Sequence, residues 1–226
     1  MDITTKKRNN LICPLCEKET YLDEYSIVDG VLRPDLREAI MSGEFFRWKC
    51  PVCNRRMKVQ RPVLYYDSEK NFMIYMRQRY ADNKNLSNEK IGEGYEELRV
   101  LKKRIVNDIA SLKEKILVLE AGIDDGALEL SKLALSSMIR EKYSKHIRGA
   151  SLTRFDEAEN LLVISFQIVG RKEAIAYHTK LDLYNTSVKV VEAYNEKNPC
   201  ENEFLQIGSA WAKEVLEWYQ EEEKAE

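Results

Sequence analysis

LICPLCEKE (Leu11–Glu19) and RWKCPVCNRR (Arg47–Arg56) carry the same four-residue unit, Cys-Pro-x-Cys. The reading of this pair decides the fold of the first third of the chain. Four of the five cysteines sit in these two units, at Cys13, Cys16, Cys50 and Cys53. Two thiolates on one tight knuckle can reach the same ion, and two knuckles supply the tetrahedral four-thiolate set that zinc prefers. The proline after each first cysteine fixes one backbone dihedral and removes an N–H, which shapes the knuckle. The competing chemistry is dithiol redox exchange, which places one such motif at the start of a helix inside a βαβ unit. Here there are two motifs, both flanked by strand-like sequence, so the expected role is a structural metal site. Zinc is the expected ion and iron the alternative, since rubredoxin knuckles also contain Cys-Pro-x-Cys. Those usually continue with glycine, whereas Glu17 and Asn54 follow here. Cys200 stands alone and is read as an ordinary thiol.

Working outward, LIC and TYLDEYSIV read as strands around the first knuckle. RPDLREAIMSGEFF reads as a short helix, with Pro34 in its first turn and Gly43 just past its end. It fills the 33 residues between the cysteine pairs. RRMKVQRPVLYY and NFMIYMRQRY read as a strand pair joined by the turn sequence DSEKN. A polar linker is expected over 81–94. Beyond it, Leu98, Leu101, Ile105, Ile109, Leu112, Ile116 and Leu119 recur at helical spacing. They predict one amphipathic helix that could also pair in a homodimer. Asp124 and Asp125 suit the start of a second helix and so complete a helical hairpin. SLTRFD, ENLLVISFQIV and KEAIAYHTKL predict three strands. TSVKVVEAYNEK reads as a helix, as does ENEFLQIGSAWAKEVLEWYQEEEK, with Phe204, Gly208, Trp211, Val215 and Trp218 along one face.

The stretch from Ile12 to Met76 closely resembles the CpXC family, through the doubled knuckle, the DLREAIMSGE helix between them, and the PVLYYD and FMIY strands. LVLEAGIDDGALELSKLAL is similar to the portion that follows in longer members. The resemblance implies four metal-ligating cysteines and brings no activity with it. The expected architecture is therefore α+β. A zinc-ribbon-like head (10–80) with an inserted short helix precedes a helical hairpin packed with a three-stranded antiparallel sheet and C-terminal helices (95–226).

The 226 residues are 44% apolar and 33% charged, with a net charge of −2. That balance excludes a globally basic nucleic-acid binder and an acidic disordered chain. No apolar run approaches the ~20 residues of a membrane span, and reduced thiols suit the cytoplasm. Residues 1–80 hold 15 Lys and Arg against 11 Asp and Glu; the remainder holds 21 against 27. The positive excess is centred on Arg47, Lys49, Arg55, Arg56, Lys58 and Arg61. With Trp48 and Tyr65–Tyr66 nearby, this is a candidate nucleic-acid surface. The two histidines, His146 and His178, lie in no motif, and no phosphate loop, dinucleotide turn or nucleophile elbow is present. The sequence thus leans away from an enzyme. It favours a protein-interaction or scaffold module, with nucleic-acid binding as the alternative.

Overall fold

The computed structural model describes residues 3–77, 102–143, 146–200 and 203–225. The linker expected over 81–94 lies outside them. The chain forms two compact units: Met1–Glu120 with Asn202–Leu205, and Ala121–Glu201 with Gln206–Glu226.

The first unit is built on a mixed five-stranded sheet. Strands β1 (Thr5–Ile12) and β2 (Glu19–Asp29) form an antiparallel hairpin closed by the first knuckle. Strand β2 continues beyond β1 to pair in parallel with β5 (Val63–Asp67). β5 then pairs antiparallel with β6 (Phe72–Met76) through the DSEKN turn, where the Asp67 carboxylate accepts the amides of Glu69 and Lys70. The parallel partner of β6 is β7 (Lys102–Val106), and the order is β1-β2-β5-β6-β7. Between β2 and β5 the chain forms helix α1 (Pro34–Ser42), a 3-10 turn (Glu44–Phe46) and the two-stranded ribbon β3 (Arg47–Lys49) and β4 (Arg56–Lys58). Helix α1 starts at Pro34, which needs no amide partner there. It ends at Gly43, whose φ of 89° lets its amide reach the carbonyls of Ala39 and Ile40.

The period-2 alternation of β5 and β6 explains why this sheet buries both faces. Val63, Tyr65, Phe72, Ile74 and Met76 face one core, with Leu36 and Ile40 of α1. Leu64, Tyr66 and Met73 face a second core, with Ile27 and Phe204. Each fully buried side chain of this size contributes about 1.5–3 kcal/mol.

The helix expected over 98–119 is corrected. Among the described residues, Lys102–Val106 is strand β7, and helix α2 begins only at Ile109 and ends at Glu120. Asp108 makes the break. Its carboxylate accepts the Ser111 amide at 2.9 Å and the Ser111 hydroxyl at 3.0 Å, and its carbonyl accepts the Leu112 amide. That is an N-cap, and a helix begins there. Leu112, Ile116 and Leu119, the stripe read as a pairing surface, are buried in this unit's own core. The expected helical hairpin is corrected with it, because α2 belongs to the first unit and the following helix to the second.

The second unit comprises α3 (Asp125–Tyr143), the antiparallel strands β8 (Ile147–Asp156), β9 (Leu161–Ile168) and β10 (Ile175–Thr179), then α4 (Asp182–Lys197) and α5 (Ser209–Ala225). The three strands form the expected antiparallel sheet, in the order β10-β9-β8, and the alternation of Leu162, Ile164, Phe166 and Ile168 falls on β9. Asp124 caps α3, accepting the Ala127 amide at 2.9 Å. The last helix starts later than expected. Phe204 packs in the first unit, and Leu205 exchanges backbone hydrogen bonds with Lys103 and Ile105 of β7 at 3.1 and 3.0 Å.

Candidate metal centre

The two knuckles share one backbone hydrogen-bond pattern, built on the same Cys-Pro-x-Cys unit. In the first, the Glu17 amide donates to the Cys13 carbonyl at 2.8 Å and the Cys13 amide to the Lys18 carbonyl at 3.0 Å. In the second, the Asn54 amide donates to the Cys50 carbonyl at 2.9 Å and the Cys50 amide to the Arg55 carbonyl at 2.9 Å. The residue after each second cysteine must turn left-handed: Glu17 has φ 57° and Asn54 φ 60°. Asparagine tolerates that region; for glutamate it costs roughly 1–2 kcal/mol. The glycine of the usual knuckle is absent, but its conformation is kept.

All four sulfurs lie within 4.8 Å of one another. The Cys13 and Cys53 sulfurs are 3.9 Å apart, those of Cys16 and Cys50 3.8 Å. A disulfide needs ~2.05 Å, so these are free thiols. A tetrahedron with Zn–S bonds of ~2.3 Å has an S–S edge of roughly 3.8 Å, so the donor set fits such an ion in number, softness and spacing. Cys13 and Cys50 are buried, Cys16 and Cys53 half-buried. The Cys50 thiol is pushed down to about 7: burial opposes this, but the amides of Cys53 and Val52 and the thiols of Cys53 and Cys13 outweigh it. The Cys16 thiol goes the other way, up to about 12. The Lys18 amide pulls it down, but burial and the other three thiols push it further up. Thiolates and not thiols are the ligands, so an ion bound here would displace the remaining thiol protons.

The shell around the sulfurs is apolar: Leu11, Leu22, Trp48, Met57 and Val59. The Trp48 indole N–H donates to the Tyr21 carbonyl at 3.1 Å, which fastens the second knuckle's ribbon to β2. At the knuckle tips Ile12, Leu15 and Val52 are more than half exposed. Leu15 and Val52 are the variable residues of the two Cys-Pro-x-Cys units, but the motif alone does not signal their exposure.

The predicted basic residues separate into two groups. Arg47 opposes Lys58 and Lys49 opposes Arg56 across the ribbon, so four cations share one face while Trp48 and Met57 take the other. Arg55 is exposed beside them. Glu44 partly neutralises the set, 2.6 Å from Arg47 and 3.9 Å from Arg56. Arg61 does not join the surface. It is 7% exposed, and its guanidinium donates to the carbonyls of Phe45 at 2.9 Å and Asp23 at 3.3 Å. His146 and His178 belong to the second unit, and among the described residues the four cysteines form the one cluster with metal-ligand geometry. Cys200 is exposed and is not a member of that cluster.

An α+β chain with four cysteines on twin knuckles, spaced for a single ion, defines a protein with a candidate four-cysteine metal centre. The chain belongs to the CpXC family: the family model, described as CpXC protein, matches residues 11–132. That span runs from the first knuckle into α3. No curated protein and no solved structure matches the chain. No helix among the described residues is long and apolar enough to cross a membrane.

Proposed function

We propose that Cys13, Cys16, Cys50 and Cys53 hold one structural zinc in a zinc-ribbon-like head, and that the chain is a cytoplasmic protein-interaction or scaffold module. The observation that carries the reading is the sulfur geometry. Four thiolates at tetrahedral spacing fill the zinc shell and leave no open position for substrate or water. A closed site of this kind acts as a fold staple. It holds β1–β2 against β3–β4 and so presents the apolar tips Ile12, Leu15 and Val52 rigidly to solvent. The partner surface is tested by crosslinking and capture with the zinc-loaded full chain beside Leu15→Asp/Val52→Asp. Partners retained by the variant as strongly as by the parent would rule the tips out.

A second reading has its own observation. Like charges placed directly opposite in a ribbon destabilise it, yet Arg47–Lys58 and Lys49–Arg56 are both such pairs. A polyanion would relieve this, so nucleic acid fits the face. Salt-dependent binding of single- or double-stranded nucleic acid that is lost in Arg55→Ala/Arg56→Ala would establish that reading. No binding at low salt would remove it.

A further inference from the structure

Arg61 is the anomaly of the first unit. Its side chain is a permanently charged group enclosed by protein, over the Phe45 ring at 5.0 Å. Burial pushes its pKa down, opposed by the more distant charge of Glu24. Among the described residues no carboxylate lies within ion-pair distance, and its two contacts are neutral carbonyls. Its Nε is buried and has no hydrogen-bond acceptor. A buried cation left without a counter-charge is expensive, and such a residue in the wall of a cleft is a functional-site candidate.

Arg61 lines a cleft of about 270 Å³ between β2 and β3, with Tyr21, Asp23, Arg47, Trp48 and Lys49 among its walls. Arg47, Lys49 and Arg61 thus all contribute to the lining of one small space, with Arg47 also paired to Glu44 at 2.6 Å. Asp23 does not offset them, because its carboxylate is already taken by Lys6 at 2.7 Å and by a two-point contact from Arg8 at 2.7 and 3.1 Å. The volume falls just below the range of drug-sized pockets, which suits a small anion. The Arg61 Nε left without an acceptor, with the Arg47 guanidinium and the Lys49 ammonium in the same lining, matches a group with several acceptor oxygens and more than one negative charge.

We infer that the β2–β3 cleft is a phosphate-binding site, with Arg61 at its base and Arg47 and Lys49 at its rim. The site stands independently of whether the partner of the ribbon is a protein or a nucleic acid. Its phosphate can come from a free small molecule or from a phosphodiester backbone.

The test is an NMR and calorimetric titration of the zinc-loaded full chain at fixed ionic strength. One arm uses inorganic phosphate and the other a single-stranded oligothymidylate. Saturable binding of phosphate is expected, with amide shifts confined to residues 21–23, 47–49 and 61. Arg47→Ala/Lys49→Ala, two exposed positions, should weaken it by about tenfold or more, and Arg61→Met should abolish it. If Arg61→Met loses zinc or unfolds, the rim variant decides. Oligothymidylate displaced by phosphate supports the site with a phosphodiester source. Phosphate binding alone supports it with a free one. The inference is overturned by shifts that do not saturate, or by phosphate or oligothymidylate binding unchanged in the rim variant.

Discussion

Glu120 is the last residue of α2, where a carboxylate meets the unfavourable end of the helix dipole. It is held there by two partners. Arg37 of α1 grips it with both guanidinium arms, at 2.7 and 2.5 Å, and the Tyr65 hydroxyl donates to it at 2.9 Å. The two contacts differ in worth. Arg37 is about one-third exposed, so its ion pair is screened and contributes about 0.5–1 kcal/mol. Tyr65 is fully buried; burial first, and then the Glu120 carboxylate, push its hydroxyl well above the ordinary phenol range, so it remains a donor. Removing its acceptor strands a buried polar group, at about 1–3 kcal/mol. Glu120→Ala should therefore destabilise the zinc-loaded protein by about 2–3 kcal/mol. Tyr65→Phe, which leaves Glu120 with Arg37 and partial solvent access, should cost about 1 kcal/mol. In the Tyr65→Phe background, Glu120→Ala should lose only the ion pair, which gives a coupling of roughly 1–2 kcal/mol. Urea unfolding of the four proteins, followed by tryptophan fluorescence and far-UV circular dichroism, measures it. Additivity within about 0.5 kcal/mol would refute the claim that the Tyr65 hydroxyl depends on Glu120.

Glu17→Gly should raise the melting temperature of the zinc-loaded protein by relieving about 1 kcal/mol of left-handed strain, and Asn54→Gly should gain less. Gly43→Ala should cost about 1 kcal/mol in chemical denaturation, because its φ of 89° is left-handed. Gly30→Ala should be more damaging, since its Cβ would sit 1.9 Å from the buried Tyr65 hydroxyl oxygen and 2.3 Å from its Cζ. Tyr65→Phe should then fail to rescue it. Lys6 and Arg8 hold the Asp23 carboxyl well below the ordinary carboxylate range, the hydrogen bond from Arg8 contributing most. A depressed carboxyl contributes stability above its unfolded value of ~3.9 that is lost as pH falls through the folded value. Carboxyl-carbon NMR should find Asp23 still ionised when exposed carboxyls have protonated.

Local signals make part of this molecule legible. The twin Cys-Pro-x-Cys units, Pro34 and Gly43 around α1, the DSEKN turn and the alternation in β9 all act within a few residues, and each element appears where its signal places it. The stretch 102–120 misleads because Ile105, Ile109, Leu112, Ile116 and Leu119 keep helical spacing across two different elements. Ile105 belongs to a strand whose partners are β6 and Leu205, which lie far away in sequence. The signal against a single helix is present in Asp108 and Ser111, an N-cap pair in the middle of the stripe. Phe204 reads as part of the last helix for the same reason: nothing local shows that its neighbour Leu205 pairs beside β7. Arg61 reads as one more member of the basic cluster because sequence cannot show which way a side chain turns. Its inward course depends on carbonyls contributed by Asp23 and Phe45.

The central proposal is that the four clustered cysteines hold one zinc that staples the head. Its most direct test is zinc-edge X-ray absorption combined with metal analysis on the reduced full chain. One zinc per chain is expected, with four sulfur neighbours at ~2.3 Å. In Cys50→Ala, loss of the metal and a marked fall in melting temperature should follow. A shell containing nitrogen or oxygen, no stoichiometric metal in zinc-supplied reduced protein, or a Cys50→Ala variant with unchanged metal content and melting would contradict it.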